Sequence, residues 1–565
     1  MVAPLTKVEP SPSPSRICGR DAPSMHRGAR QRANDLCRWL VVYVVALAPR
    51  LYLLARYELE LSEDGFAAVK TVHILQTQGF AALPTNLVDR FLLHPLYMSL
   101  LGALRLVVPS SADFFVPARL LSVLIASIAV VLMFECVRRS FGELAGWIAA
   151  LLLSFVPTFL WESISIISSA LFLSLYLAVW LALLQERYRV AALLGYLAAM
   201  TRYEGLVLIA LIALFLLVRD LRRHSFVARD WLAVLGSACA FALSLLALGW
   251  LWEGNPLQAF QANAMAAVWL RTLAPADWVG RAQYFIMGYP KLFPLALIWI
   301  GIAGAVLAVS RHRGRATLLL LVTFVVYVLF DETLVWFDLT TLEERFLLYP
   351  ALPFLAFAGL GIAEAYRLAM RLGRAPWSAG PGLSDRRADS GEPGATKPLR
   401  RAPSRLVTCA AASLALVILL ASFSKESWQR ANAGMLWIHG NHASQEEVAD
   451  QLAAVIPAHQ PARIVVYAGT SNVLEHFARQ RGLDLHMSFF RFIPEDGAEQ
   501  FLLDSGVEYV LFPRGNGFAR AKYPYLDQSE RQPHAAVTFV PIVQFTTASN
   551  DQEHILFACQ PQPNG

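Results

Sequence analysis

The sequence predicts a mainly α-helical membrane protein that crosses the bilayer many times and carries a small α/β domain at its C-terminal end. Three observations predict this. Of 565 residues, 56% are hydrophobic and only 16% charged, with mean hydropathy +0.46, whereas soluble domains are about a quarter charged. The apolar residues gather in runs of roughly twenty, the length that crosses a hydrocarbon core. From residue 424 onward the runs stop, and short strand-like and helix-like stretches alternate.

The elements follow in chain order. Residues 1–37 form an arm rich in Pro, Ser and Arg, expected to be disordered and cytoplasmic. No cleavable signal peptide is expected, because the first apolar run starts late and lacks a small-residue cleavage site. The membrane domain is expected over residues 38–423, with about eleven spans. These fall near Arg38–Leu54, Phe115–Val137, Leu144–Trp161, Ser165–Leu184, Val190–Arg202, Gly205–Val218, Trp231–Leu251, Leu292–Ser310, Ala316–Trp336, Phe346–Tyr366 and Leu406–Phe423. Phe91–Val108 is also apolar, but counting it as a span would reverse every later loop. It carries His94, Pro95 and Arg105 and is expected to lie along the outer surface.

Arginine placement sets the orientation. With the N-terminus inside, every inner segment is rich in Arg: the N-terminal arm, Arg138–Arg139, Arg187 and Arg189, Arg219–Arg229, Arg311–Arg315, and the Gly-, Pro- and Ser-rich linker of about 367–405. Outer loop 1 (about 56–114), the loop of about 252–291, Asp331–Arg345 and the domain 424–565 then lie outside, in the plasma (inner) membrane and its outer aqueous space. The net charge of +6 is therefore a topology signal and not one for nucleic acid. Cys18, Cys37, Cys136, Cys239 and Cys409 are scattered through the arm and spans. Only Cys559 lies in the outer domain, so no disulfide framework and no C-x-x-C metal spacing exist there.

In the outer domain, Gln445–Val455, Asn472–Gln480 and Ala498–Leu503 read as helices. Arg463–Tyr467, Asp484–Met487, Glu508–Phe512 and His554–Cys559 read as strands. Such alternation predicts a partly parallel sheet. No P-loop and no G-x-G-x-x-G occurs in it.

Glu63 and Asp64 stand side by side just after the first span. An acidic pair suits the N-terminus of an interfacial helix, whose dipole favours it. It also suits a general base, a carboxylate held near an acceptor's nucleophile and tuned by burial and by its neighbour. Other stretches go with the pair in order along the chain: HPLYMSLLGAL from His94, TRYEG (Thr201–Gly205), EGNPLQAF (Glu253–Phe260) and EERFLLYPALPFLAFAGLG (Glu343–Gly361). Together they resemble the integral-membrane GT-C glycosyltransferases, a group that includes protein O-mannosyltransferases and aminoarabinose transferases. The resemblance runs from about Arg38 to Phe423, and an outer α/β tail is common among such enzymes.

The resemblance implies transfer of a hexose or pentose from a polyprenyl-phosphate carrier to a glycan, lipid or protein acceptor outside the cytoplasmic leaflet. It implies Asp64 as the catalytic base, with Glu63 second. The order Glu-Asp-Gly differs here from the Asp-Glu or Asp-Asp of many relatives. Arg202 and Arg345, each at the outer end of a span, become the candidates for the donor phosphate, which an arginine fork contacts bidentately. Each could instead snorkel or pair with its neighbouring acid, Glu204 or Glu344. Weaker substrate contacts are His94, Glu204, Asn255 and Lys70, with Arg90 and Lys291 behind them; His73 reads as structural. Glu63, Asp64 and His94 could together hold a divalent metal, but the resemblance requires no cofactor.

Trp269, Arg271, Trp278, Arg281 and Tyr284 belong to an interfacial aromatic belt or a lid. Asp331, Glu332 and Asp338 read as a second acidic cluster, solvated or paired with Arg345, in the loop before it. A transporter or lipid flippase would place ionisable groups within spans and often shows repeated halves; most charges here read as lying at span ends, and no repeat is visible. A non-catalytic scaffold would make the Glu63–Asp64 pair dispensable.

Overall fold

The computed structural model describes residues 22–79, 94–109, 113–257, 288–290, 292–312, 314–336, 347–372, 405–466, 471–489, 498–514, 526, 532–534 and 537–561. The helical part contains α1 (Ala22–Arg56), α2 (Glu63–Thr77), α3 (Pro95–Val107), α4 (Phe115–Phe141), α5 (Glu143–Ser154), α6 (Pro157–Ile164) and α7 (Ser169–Leu184). It continues with α8 (Tyr188–Thr201), α9 (Gly205–Arg223), α10 (Ala228–Glu253), α11 (Leu295–Arg311), α12 (Arg315–Trp336), α13 (Leu348–Leu372) and α14 (Arg405–Val455). Among the described residues, six helices are long and apolar enough to cross a membrane: α1, α4, α10, α12, α13 and α14. The pair α5 and α6, bent by 65°, makes a seventh if it is one broken span. The chain is a multi-pass membrane protein.

The remaining expected spans appear as shorter or interrupted helices. The chain breaks within the expected span Leu144–Trp161. Pro157 has no backbone N–H to continue the helix and pushes Val156 to an extended conformation (φ −61°, ψ 123°). The helices enclose one large apolar core, drawn chiefly from α4, α7 and α13. Tyr176, Trp180, Tyr327 and Tyr349 are fully buried in it. Charge also enters this interior. Arg50 of α1 is fully buried, donates to the Ala46 carbonyl at 2.7 Å and stacks 4.8 Å over the Phe159 ring. Charges are thus not confined to span ends.

The last expected span and the first helix of the outer domain are one helix. The α14 helix has 51 residues, about 77 Å at 1.5 Å per residue. Its polar middle reads as a boundary in the sequence, but no proline lies there to break it. The sheet that follows contains β1 (Pro461–Val466), β2 (Asp484–Phe489), β3 (Tyr509–Pro513), β4 (Gln532–His534), β5 (Val537–Thr546) and β6 (Glu553–Pro561), with helices α15 (Ser471–Gln480) and α16 (Ala498–Asp504). The strand order is β2-β1-β3-β6-β5-β4. The β1 strand is parallel to β2 and β3; the other pairings are antiparallel. Mixed pairing matches the expected partly parallel sheet. One apolar face packs on the end of α14 and on α15, and Phe66 of α2 joins that cluster. The helix that carries Asp64 is therefore docked against the C-terminal domain.

Candidate active site

The loop between α1 and α2 is anchored by a carboxylate that sequence reasoning passed over. Glu60 is 1% exposed. Its Oε1 accepts from the backbone N–H of Ser62 and of Ile166, both at 3.0 Å. Its Oε2 lies 3.6 Å from Nε of Arg119, which is equally buried. Arg119 in turn donates to the carbonyls of Tyr57 (2.7 Å), Glu58 (3.0 Å) and Ile164 (2.8 Å). These bonds satisfy backbone groups freed where α6 ends and where the loop leaves α1, as a buried interior requires. Burial pushes the Glu60 carboxyl up to about 7, against Arg119 and the backbone N–H groups of Ile166, Ser62 and Leu61, which pull it down. Gly65 sits hard against this side chain: a Cβ there would lie 2.6 Å from Glu60 Oε1. That spacing, an acid five residues before the Gly after the acidic pair, was the available signal.

Glu63 and Asp64 open α2. Asp64 is exposed on its first turn; the Glu63 side chain lies outside the described residues. Across from them is the TRYEG turn. Arg202 leaves α8 in an extended conformation (φ −155°, ψ 142°). A Cβ on Gly205 would fall 2.2 Å from the Ala199 backbone nitrogen, so only glycine permits α9 to start this close to α8. The tight turn folds Glu204 back onto Arg202, whose Nε and Nη2 donate to Glu204 Oε1 at 3.1 and 2.7 Å. The guanidinium also sits 5.7 Å over the ring of Tyr349. Two separate sequence motifs, TRYEG and LLYPALP, meet at that contact.

His94 precedes α3 and reaches the same place. Its Nδ1 lies 3.0 Å from the Thr201 carbonyl and 3.3 Å from Ser168 Oγ. Burial, then the charge of Arg202, draw its pKa down to about 4, against the Thr201 hydrogen bond and the charges of Asp64 and Glu204. The ring is therefore neutral at pH 7. Because a carbonyl only accepts, the proton sits on Nδ1 and Nε2 is an acceptor. Asp64, His94, Arg202 and Glu204 thus lie within electrostatic reach of one another.

Two more acids join them. Glu162, 1% exposed at the end of α6, acts on Arg202. Asp331, 2% exposed, acts with Arg202 and Glu204. Asp331 and Glu332 are expected in the loop before Arg345, solvated or paired with it. They lie instead in the last turns of α12, where Asp331 is buried inside the bundle.

Other candidates fall elsewhere. Lys70 pairs with Glu475 of α15, tying α2 to the C-terminal domain. Asn255 accepts from the Leu257 N–H at 3.0 Å and shapes the turn after α10. His73 is exposed. Arg345, Arg90, Lys291, Asp338, Glu344 and the aromatic loop residues Trp269, Arg271, Trp278, Arg281 and Tyr284 lie outside the described residues. The metal set Glu63, Asp64 and His94 includes the Glu63 side chain, which lies outside the described residues; among the described residues no group of three metal-ligating side chains comes together.

Residues 93–250 match the family model of dolichyl-phosphate-mannose-protein mannosyltransferases. The match takes in His94, Glu162, Arg202 and Glu204. The structure aligns with ArnT from Cupriavidus metallidurans bound to undecaprenyl phosphate at a TM-score of 0.50, over 94% of this chain and 98% of that one, with 16% identity. The fold is ArnT-like. It is also similar to AglB, the oligosaccharyltransferase of Archaeoglobus fulgidus, in complex with an inhibitory peptide and a dolichol-phosphate. That alignment has a TM-score of 0.50 and 14% identity, over 84% of this chain and 69% of that one. The apo form of the Archaeoglobus fulgidus enzyme aligns equally well, at 0.50 and 13% identity, over 93% and 74%. No curated protein matches the chain in sequence. Within the ArnT-like fold, the helical bundle and the C-terminal sheet domain are both covered by the ArnT alignment.

Proposed function

We propose that this chain transfers a sugar from a polyprenyl-phosphate carrier to an acceptor on the extracytoplasmic side, with Asp64 as general base. The single observation that carries this reading is the convergence of Asp64, His94 and the Arg202–Glu204 pair, from three distant parts of an ArnT-like fold. The family match and the ArnT and AglB complexes with polyprenyl or dolichol phosphates support a carrier of that chemistry here.

The chemistry follows from the groups present. An acceptor hydroxyl gives its proton to Asp64 as its oxygen attacks the anomeric carbon. The bond from that carbon to the phosphate oxygen breaks, and the carrier phosphate leaves with the electron pair. Attack opposite to the leaving group inverts the anomeric centre. His94 Nε2, an acceptor, orients a sugar or acceptor hydroxyl. Arg202 meets the charge growing on the phosphate. Its field is largely cancelled by Glu204, with Glu162 and Asp331 also near. A dianionic leaving group therefore calls for a second cation, and Arg345, four residues before Tyr349, is the residue we assign. The N-terminus and inner loops are cytoplasmic in this reading, and the domain 424–565 is extracytoplasmic.

The test is to present the purified protein, in lipid, with a panel of radiolabelled polyprenyl-phosphate hexoses and pentoses. Consumption of one carrier with inverted product names the donor. If no carrier is consumed in the presence of cell-envelope glycans, lipids and proteins as acceptors, the transferase reading fails.

A further inference from the structure

A second cavity, of about 430 Å³, opens between the C-terminal part of α14 and the sheet. That size is within the range of small-molecule sites, roughly 300–1,000 Å³. It is separate from the Asp64 region but touches its loop. His442 lines the cavity and places its Nδ1 2.7 Å from the backbone carbonyl of Glu60. The carbonyl only accepts, so Nδ1 holds the proton and Nε2 is left as an acceptor.

Two other buried polar side chains line the same space. His554 of β6 is 5% exposed and Ser444 of α14 is fully buried. Neither ring nitrogen of His554 nor Ser444 Oγ has a hydrogen-bond partner among the described residues. Buried polar groups without partners are few in native proteins, and each has a cause. Three such atoms lie in the walls of this one cavity. Burial holds both histidines well below their usual range, each near 4, so they meet a ligand uncharged.

The remaining walls say what that ligand is. Asn441, Gln445, Asn550 and Gln552 supply carboxamides, and Trp437 stands at the edge with 71% of its surface exposed. Among the described residues, no charged side chain lines the cavity. A neighbouring cavity between α2 and α15 differs sharply: Lys70, Arg105, Asp113, Glu475 and Arg479 all line it. A charged ligand in the uncharged cavity would lose its solvation with no counter-charge. A neutral ligand rich in hydroxyls would find donors and acceptors at several points, and the indole would cover its C–H face.

We propose that this cavity binds an uncharged pyranose unit. Its identity as part of the acceptor glycan rests on the sugar-transfer reading above; its chemistry does not. The His442 bond to Glu60 places the occupied cavity next to the loop that carries Asp64.

The experiment is saturation-transfer NMR on the purified full-length protein. The probes are methyl α-mannopyranoside, methyl β-galactopyranoside and N-acetylglucosamine, with glucuronate and glucosamine as charged controls. Trp437→Ala alters an exposed side chain, and His554→Phe keeps the ring shape while removing both nitrogens; thermal unfolding of each verifies the fold. At least one neutral sugar is expected to bind, with affinity at least tenfold weaker in both variants and no binding of the charged sugars. Absence of neutral-sugar binding, unchanged binding in both variants, or equal binding of the charged sugars overturns the proposal. A more stable His554→Phe protein with unchanged sugar binding would show that the cavity holds water only. Sugar binding without consumption of any carrier would sink the transferase reading and keep this one; carrier consumption without sugar binding would do the reverse.

Discussion

Replacing Arg119 by Leu tests the anchor of the first loop. The substitution removes the cation beside the buried Glu60 carboxylate and the donor for three carbonyls, Tyr57, Glu58 and Ile164. Breaking a buried pair from one side costs about 3–5 kcal/mol, because the partner left behind has no compensation. Glu60→Gln is gentler. Its amide oxygen still accepts from Ser62 and Ile166, and Arg119 keeps its three carbonyls. The pH dependence separates the two further. The Glu60 carboxyl is raised from 4.5 to about 7 in the folded protein, chiefly by burial, which favours its protonated form by about 3 kcal/mol. Between those values the folded state holds a proton that the unfolded chain has released. The stabilisation is therefore fully present below about 4.5 and is lost as pH rises through about 7.

Denaturant unfolding in detergent at pH 4.5, 6 and 7.5 measures both effects. Arg119→Leu should lose most stability at pH 7.5, where it leaves the Glu60 carboxyl without its cation, and less at pH 4.5, where only the bonds to the three carbonyls are lost; Glu60→Gln should flatten the decline between 4.5 and 7. Arg119→Leu matching the wild type, or a Glu60→Gln profile parallel to it, would refute the reasoning.

Three further outcomes are expected. Gly205→Ala puts a Cβ 2.2 Å from the Ala199 backbone nitrogen; backbone cannot step aside, so the TRYEG turn opens, with about 1–3 kcal/mol lost in thermal unfolding and carrier consumption lost with it. Arg202→Lys keeps a charge but not the fork held by Glu204 and stacked on Tyr349; kcat/KM for the donor should fall about tenfold or more, and an unchanged value would remove Arg202 from the phosphate. Lys70→Met breaks a partly exposed pair with Glu475, whose side chains are 21% and 19% exposed, so unfolding should shift by less than about 1 kcal/mol; a larger loss would mean that this tether holds α2 in place.

Much of the fold was legible because its signals are local. Apolar run length marked the long spans, and short apolar runs at Arg463–Tyr467 and Glu508–Phe512 marked β1 and β3. What was missed depended on context. The β5 strand contains Pro541, which argues against a strand in sequence; the structure accommodates it at a register shift between Pro541 and Val543, where a missing donor is tolerated. The continuity of α14 was hidden because a polar stretch reads as a boundary whether or not the backbone bends.

The site was half legible. Asp64, His94, Arg202 and Glu204 were named from motifs, and the structure brings them together. Glu60 and Glu162 were not named, and Asp331 was named only within an acidic cluster read as solvated or paired with Arg345, since their importance lies in burial by residues far off in sequence: Glu60 meets Ile166 and Arg119, and Asp331 is taken out of water in the last turns of α12. A carboxylate's local sequence does not reveal whether it will be taken out of water.

The most direct test of Asp64 as the base is single-turnover transfer from the radiolabelled carrier by wild type and Asp64→Asn, with folding verified by unfolding curves. Loss of a general base predicts a fall of about 10²–10⁴ in the transfer rate with carrier binding retained. Full transfer by a folded Asp64→Asn protein would contradict it.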